Sequence, residues 1–299
     1  MKILIVGYQG YIGSGLYKYL SREHDVIGWG KSDNILSINN ELLIKENIDV
    51  VINCATVMDR VESTFITDSL TYKVNISGMK NLVTQLKNTK VTLIYISTKD
   101  VYGNLFNQSN VVETDKYFKL PYFVDDNYPF YPQTAYGKSK LIGEYIAESY
   151  PNYIIIRLSS CYTDFDHYRG HWVPNLIKSL TSGSNIKLTN KGKQVRDLLH
   201  VNDLGRLINI ILNSTKKGIK INAGGGERNI LSILQFIELI NSNSNISYLP
   251  GKDYGFAFSN KAAKEEFNWK PEILFRERLP IITMNLAKGL SAINKIIEK

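Results

Sequence analysis

Lys2 to Val6 is a short, largely apolar run that ends in Gly7-Tyr8-Gln9-Gly10-Tyr11-Ile12-Gly13, and beyond it Ile12, Leu16, Tyr19 and Leu20 recur at helical spacing. The order is strand, tight turn, helix. Each glycine has its own task in such a turn. The first permits the bend, the second lets the backbone approach a diphosphate, and the third lets helix and strand pack closely. The amino end of the helix then presents free N–H groups and a positive dipole end to phosphates. Gly7, Gln9, Gly10, Tyr11, Ile12 and Gly13 are therefore expected to hold a dinucleotide.

The rest of the first half keeps the same rhythm. Val26 to Trp29 and the nearly all-apolar Val50 to Ala55 read as strands, with Glu41 to Glu46 helical between them. Leu70 to Lys87 is helical through Val74, Met79, Leu82, Val83 and Leu86; Val91 to Ser97 is β-rich; Tyr136 to Ser149 is helix and Tyr153 to Leu158 strand. Strands alternating with helices need right-handed crossovers and a sheet covered on both faces, so a doubly wound Rossmann α/β fold is expected over 1–158, joined by parts of 190–222. After Leu158 the pattern breaks. Ser159 to Pro174 is rich in Tyr, Asp, His and Ser, followed by helical patterns at Trp172 to Leu180, Asp203 to Leu212 and Ser232 to Ile240 and a strand at Gly218 to Asn222. A smaller mixed α/β substrate lobe over 159–299 accounts for this, with a cleft at the carboxyl ends of the strands.

Composition excludes several classes. The chain has 299 residues, 43% hydrophobic and 21% charged, a globular balance. Its longest apolar runs, such as Ile3 to Val6, fall well short of the roughly 18 residues that span a bilayer. The first run is also too short for a signal peptide, so a cytoplasmic enzyme is expected. Cys54 and Cys161 each follow an apolar run and read as buried thiols rather than a disulfide, and the four histidines show no metal-ligand spacing. The net charge of +8 favours an anionic ligand, but the basic residues are scattered, which argues against nucleic acid.

The second strand ends Ile27-Gly28-Trp29-Gly30-Lys31-Ser32-Asp33. The acid that usually bonds an adenosine ribose is missing at the strand end, and Lys31 with Ser32 could meet a 2′-phosphate. NADP(H) is expected over NAD(H), unless a short loop swings Asp33 back.

Tyr136-Gly137-Lys138-Ser139-Lys140 sets a phenol and an ammonium four residues apart, on one side of a helix. A neighbouring cation favours the phenolate, so the phenol is expected to fall toward working pH and to exchange a proton with a sugar hydroxyl or carbonyl. Ile94-Tyr95-Ile96-Ser97-Thr98 should project Thr98 into the same cleft.

With Ser97-Thr98-Lys99-Asp100-Val101-Tyr102-Gly103, these pieces resemble the extended short-chain dehydrogenase/reductases, specifically the nucleotide-sugar epimerases, dehydratases and ketoreductases, over nearly the whole chain. The resemblance implies Thr98 as hydroxyl partner, Tyr136 as acid/base and Lys140 as the ribose-binding residue that tunes it. It further implies Asn53, Cys54 and Ala55 bordering the cofactor, and Asn75 bracing the central helix beside it. Thr98, Lys99, Asp100 and Ser160 would line the substrate. Arg196, in the stretch Gly192 to Asp203, would hold the diphosphate; a local pair with Asp197 is its bland alternative, and His200 reads as a packed histidine. A basic residue commonly precedes Pro250-Gly251, but Leu249 stands there, which leaves Arg228 or Lys252 to replace it. A 4,6-dehydratase of this type resembles Ser-Thr-Asp-Glu where this chain has Ser-Thr-Lys-Asp, so dehydration is disfavoured. The Met58 to Ser63 stretch is similar to short 4-keto-sugar reductases, whereas Gly192 to Asp203 looks more like the epimerases. The expectation is a 4-keto-sugar nucleotide reductase, then an epimerase, with a non-catalytic cofactor-binding relative as the last option. The substrate is a nucleotide-diphosphate sugar, and a homodimer through the helices at 70–87 and 136–149 is implied.

Overall fold

A computed structural model describes residues 1–31, 33–60, 66–67, 69–165, 171–240 and 244–297, the last nine of these as backbone only. Six parallel strands form one sheet in the spatial order Ile219–Ala223, Tyr153–Leu158, Thr92–Thr98, Val50–Asn53, Lys2–Val6, Asp25–Trp29. Side chains alternate across a strand, so each apolar run feeds two cores. Ile3, Ile5, Ile52, Ile94 and Ile156 pack with Leu16 and Leu20 of the helix Tyr11–Leu20 and with Leu204, Leu207 and Ile211 of Val201–Leu212. Leu4, Val6, Val51, Leu93 and Ile155 pack on the opposite face with Met79, Leu82, Val83 and Leu86.

The helix expected at 70–87 is interrupted. Leu70–Tyr72 and Gly78–Leu86 are α-helical, but Lys73–Ser77 between them is a π-turn carrying Asn75. The helix expected to start at Asp203 starts at Val201, because the His200 ring Nδ1 accepts the Asn202 N–H (3.1 Å) and caps it. His200 is packed, as expected, and its other ring nitrogen meets Asp164 at 3.0 Å.

In the second half Val195–His200 is flanked by Ile230–Ser232 antiparallel and by Gly255–Phe256 and Ser160–Tyr162 parallel. The three-residue strand Ser160–Tyr162 falls inside the stretch that reads as irregular; so short a run has no periodicity of its own, and only its pairing with Leu198 to His200 makes it a strand. The helices Trp172–Thr181 and Ile233–Ile240 pack around Tyr162, Leu198 and Phe275. Both cysteines are free thiols, Cys161 buried. Among the described residues, no helix is long and apolar enough to cross a membrane, and no cluster of metal-ligating side chains occurs.

Candidate active site

The glycine turn is as close-packed as its spacing requires. Gly7 has φ +82°, and a Cβ there would stand 2.7 Å from the Ala55 nitrogen. A Cβ on Gly13 would stand 2.2 Å from the Gly7 carbonyl oxygen. The helix that follows, Tyr11–Leu20, has Gly10 as its N-cap, so no side chain of the cap residue accepts its leading N–H groups. A diphosphate fits that cradle. Gly13→Ala drives a methyl into backbone and is expected to weaken dinucleotide binding by at least about tenfold, as read by fluorescence titration.

The second strand ends differently from the expectation. Asp33 swings back: its Oδ2 accepts the Gly30 N–H at 2.6 Å, putting a carboxylate at the strand end. Gln9 crosses to the same loop and accepts the Lys31 N–H at 3.3 Å. Lys31 is exposed, and Ser32 lies outside the described residues.

Thr134 caps the helix Ala135–Glu148 by accepting the Gly137 N–H (3.1 Å), and this fixes Tyr136 and Lys140 on one face. Thr98, the last residue of the central strand, and Thr56, on the loop after Val50–Asn53, lie beside the Tyr136 side chain, and each favours its ionised form. Contrary to the expectation, the phenol is not lowered. Burial pushes it up to about 12, Asp100 adds to the rise, and Arg60 opposes it. Lys140 is buried too, its Nζ 4.0 Å from the Tyr95 ring centroid, and desolvation brings it down to about 7 against the pull of Cys54 and Glu144. For each group, loss of water outweighs the pull of the neighbours that favour its charged form. Burial likewise pushes the Cys54 thiol up to about 12.

Asn53 and Asn75 shape the loop between strand and helix. Asn53 accepts the Ala55 N–H (3.0 Å) and contacts Met79 Sδ (3.3 Å). Asn75 Oδ1 accepts from the Val57 N–H (2.8 Å) and Thr56 Oγ1 (3.3 Å), while its Nδ2 donates to the Val57 carbonyl (2.9 Å) and Ser139 Oγ (2.8 Å). Those four bonds use the whole amide. Asn75 is thus a brace between loop and helix, with no capacity left for a direct bond to a cofactor.

Asp100 sits in an ion cluster that the sequence did not disclose. Lys99 Nζ meets its Oδ1 at 3.0 Å and Arg60 Nε its Oδ2 at 3.0 Å, and the two cations hold the carboxyl below its usual range despite burial. The Arg60 guanidinium carbon also stands 5.4 Å from the Tyr136 ring centroid. Thr56 was missed because a residue after a strand carries no periodic signal, and Arg60, inside the reductase-like Met58 to Ser63 stretch, was not singled out because sequence alone does not show that it meets Asp100. The Val61 to Ser63 part of the reductase-like stretch lies outside the described residues.

Arg196 does not pair with Asp197. Adjacent strand residues point to opposite faces, so Asp197 turns inward to accept the Gly225 (2.5 Å) and Phe258 (3.0 Å) N–H groups, and burial raises it to about 7. Arg196 meets Asp253 instead, with its two terminal nitrogens 2.5 and 3.4 Å from the carboxylate. Lys99 also acts on Asp253, which links the Arg196 end of the cleft to the Asp100 cluster. Ser160 is half-buried on the strand beside Leu198. Arg228 is not brought to this cleft; it lines a separate cavity with Phe123, Lys261, Lys264 and Lys270.

A parallel sheet with a glycine-turn cradle and a Thr–Tyr–Lys cluster at its carboxyl edge defines a nicotinamide-dependent enzyme of the extended short-chain dehydrogenase/reductase type. A profile of the NAD-dependent epimerase/dehydratase family matches residues 3–224, and the chain belongs to that family. CDP-paratose 2-epimerase from Salmonella typhi is 27% identical, with 91% of this chain and 95% of the relative covered. dTDP-glucose 4,6-dehydratase 1 from Escherichia coli K12 is 23% identical, covering 92% and 90%. In fold, the UDP-glucuronic acid 4-epimerase from Bacillus cereus, solved with UDP-glucuronic acid and NAD, superposes with a TM-score of 0.80 at 23% identity over 96% of this chain and 99% of that one.

Proposed function

We propose that the chain is a nucleotide-sugar epimerase that uses NAD(H), with Tyr136 as acid and base at a ring carbon of the sugar, C4 being the favoured one. The observation that supports this best is Tyr136 beside Thr98 at the end of the central strand, with Lys140 one turn along. A bound nicotinamide would supply the acceptor and donor of hydride there. Tyr136 takes the proton of the sugar hydroxyl and returns it, and Thr98 holds the same oxygen by a hydrogen bond. Gly7 to Gly13 would hold the cofactor's diphosphate, and Lys140 its ribose. Arg196, whose planar fork now grips Asp253, would exchange that carboxylate for the substrate's diphosphate.

The Asp33 carboxylate at the strand end favours NAD(H) over the NADP(H) expected from Lys31 and Ser32, since a 2′-phosphate would meet like charge there. A retained NAD suits a reaction that starts by oxidising the sugar and ends by reducing it, which moves the preference from reductase to epimerase. Dehydration fits poorly: a carboxylate clamped by two cations holds its negative charge and does not deliver a proton to a leaving hydroxyl. The helices Gly78–Leu86 and Ala135–Glu148 would pair two copies, and exposed Tyr145 lies on the second of them.

Interconversion of a nucleotide-linked hexose by the purified protein, with no added cofactor and no net change in nicotinamide absorbance, is the expected result. Stoichiometric consumption of NADPH would establish a reductase instead. Asp33→Ser is expected to raise NADPH affinity relative to NADH by about tenfold in binding titrations, and an unchanged ratio would remove Asp33 from cofactor choice.

A further inference from the structure

This inference rests on the reading of Tyr136 as acid and base, and concerns what sets its charge. A buried phenol ionises only where a nearby cation offsets the lost water. The groups that act on Tyr136 are Thr98 on the central strand, Asp100 on the turn Lys99–Val101, and Thr56 and Arg60 on the loop after Val50–Asn53, while Lys140 stands one turn along its own helix. Tyr95, deeper on the central strand, also feels its charge.

Of the two cations, Lys140 lies against the Tyr95 ring and is itself driven toward neutrality by burial. Arg60 remains fully charged. Its guanidinium carbon is 5.4 Å from the Tyr136 ring centroid, and its Nε is 3.0 Å from Asp100, which is fixed from the other side by Lys99 at 3.0 Å. The loop is tied to the helix as well: the Tyr136 N–H donates to the Asp59 carbonyl at 2.9 Å. Arg60 is therefore held at Tyr136 by a backbone bond one residue away and by an ion pair at its tip.

We propose that Arg60 is a positioning residue whose charge stabilises the Tyr136 phenolate, and that Asp100, held between Arg60 and Lys99, sets how much of that charge Tyr136 feels. The signs are opposite. Removing the Arg60 charge makes Tyr136 a weaker acid. Removing the Asp100 charge takes away a repulsion and leaves Arg60 less neutralised, so Tyr136 becomes a stronger acid.

The test is the ionisation of Tyr136 in full-length protein with NAD⁺ bound, followed by carbon NMR of tyrosine labelled at Cζ, with the resonance identified by its loss in Tyr136→Phe. Arg60→Ala is expected to make the phenol about tenfold less acidic, Arg60→Lys to stay near the parent, and Asp100→Asn to make it about tenfold more acidic. The acidic limb of the kcat profile should move to higher pH in Arg60→Ala and to lower pH in Asp100→Asn. A merely structural role would change the height of that profile and leave its midpoint in place. An unmoved Tyr136 ionisation in Arg60→Ala, or a shift of the same sign in Asp100→Asn, overturns the proposal. Full turnover in Tyr136→Phe would sink the acid/base reading instead, and the NMR titration would still report on Arg60.

Discussion

Tyr136→Phe is expected to reduce turnover by roughly 10³-fold, within the range that a positioned acid/base contributes, and to leave cofactor binding nearly intact. The reason is local. The phenol oxygen is the titrating atom, whereas the glycine cradle and the Asp33 loop are built from other segments. Thr56 keeps its bond to Asn75 and Thr98 its bond from the Asp100 N–H, so the cost to folding should stay near about 1 kcal/mol. Steady-state rates on the identified nucleotide sugar, with an NADH titration and a melting curve on the same preparation, separate these effects. Retained turnover would show that Tyr136 does not move the proton.

The largest effect on stability is expected at Arg157. This side chain and Glu144 are both fully buried, and Arg157 donates to Glu144 at 2.8, 3.0 and 3.1 Å, to the Tyr102 hydroxyl at 2.8 Å and to the Asp126 carbonyl at 3.1 Å. Ser97 Oγ adds a bond to Glu144 at 2.5 Å. The network thus joins the helix that carries Tyr136 and Lys140 to the strand that carries Thr98. Arg157→Ala would strand the Glu144 carboxylate in the core, and a loss of about 3–5 kcal/mol is expected. At roughly 2–4 °C per kcal/mol for a chain of this size class, the melting midpoint should fall by about 10 °C. Arg157→Met combined with Glu144→Leu should recover much of that loss, because the pair then leaves no unpaired charge. A drop below about 1 kcal/mol in Arg157→Ala would mean that water or another cation reaches Glu144.

Much of this architecture was legible in the chain. The glycine spacing after Lys2–Val6 and the apolar runs at Val50–Asn53, Thr92–Thr98 and Tyr153–Leu158 are local signals, set by backbone sterics and side-chain period, and they place the parallel sheet and its cradle. The position of Tyr136 and Lys140 on one helix face follows from their spacing alone. Arg157 is a different case. In sequence it is one charged residue inside an apolar strand, and nothing marks Glu144, thirteen positions earlier, as the partner that lets it be buried.

The charge states and partners around the site were decided by folding. Asp33 supports the proposed NAD(H) preference because a three-residue turn brings its carboxylate to Gly30. Arg196 prefers an acid 57 positions away to the acid next to it, since a strand sends neighbours to opposite faces. Sequence alone determined the backbone scaffold and the types of residue at its carboxyl edge, because these depend on contacts a few residues apart. Only the tertiary structure decided which of those residues are dry, which are paired and which way each proton affinity moves, because desolvation and Coulomb attraction depend on distance in space rather than along the chain.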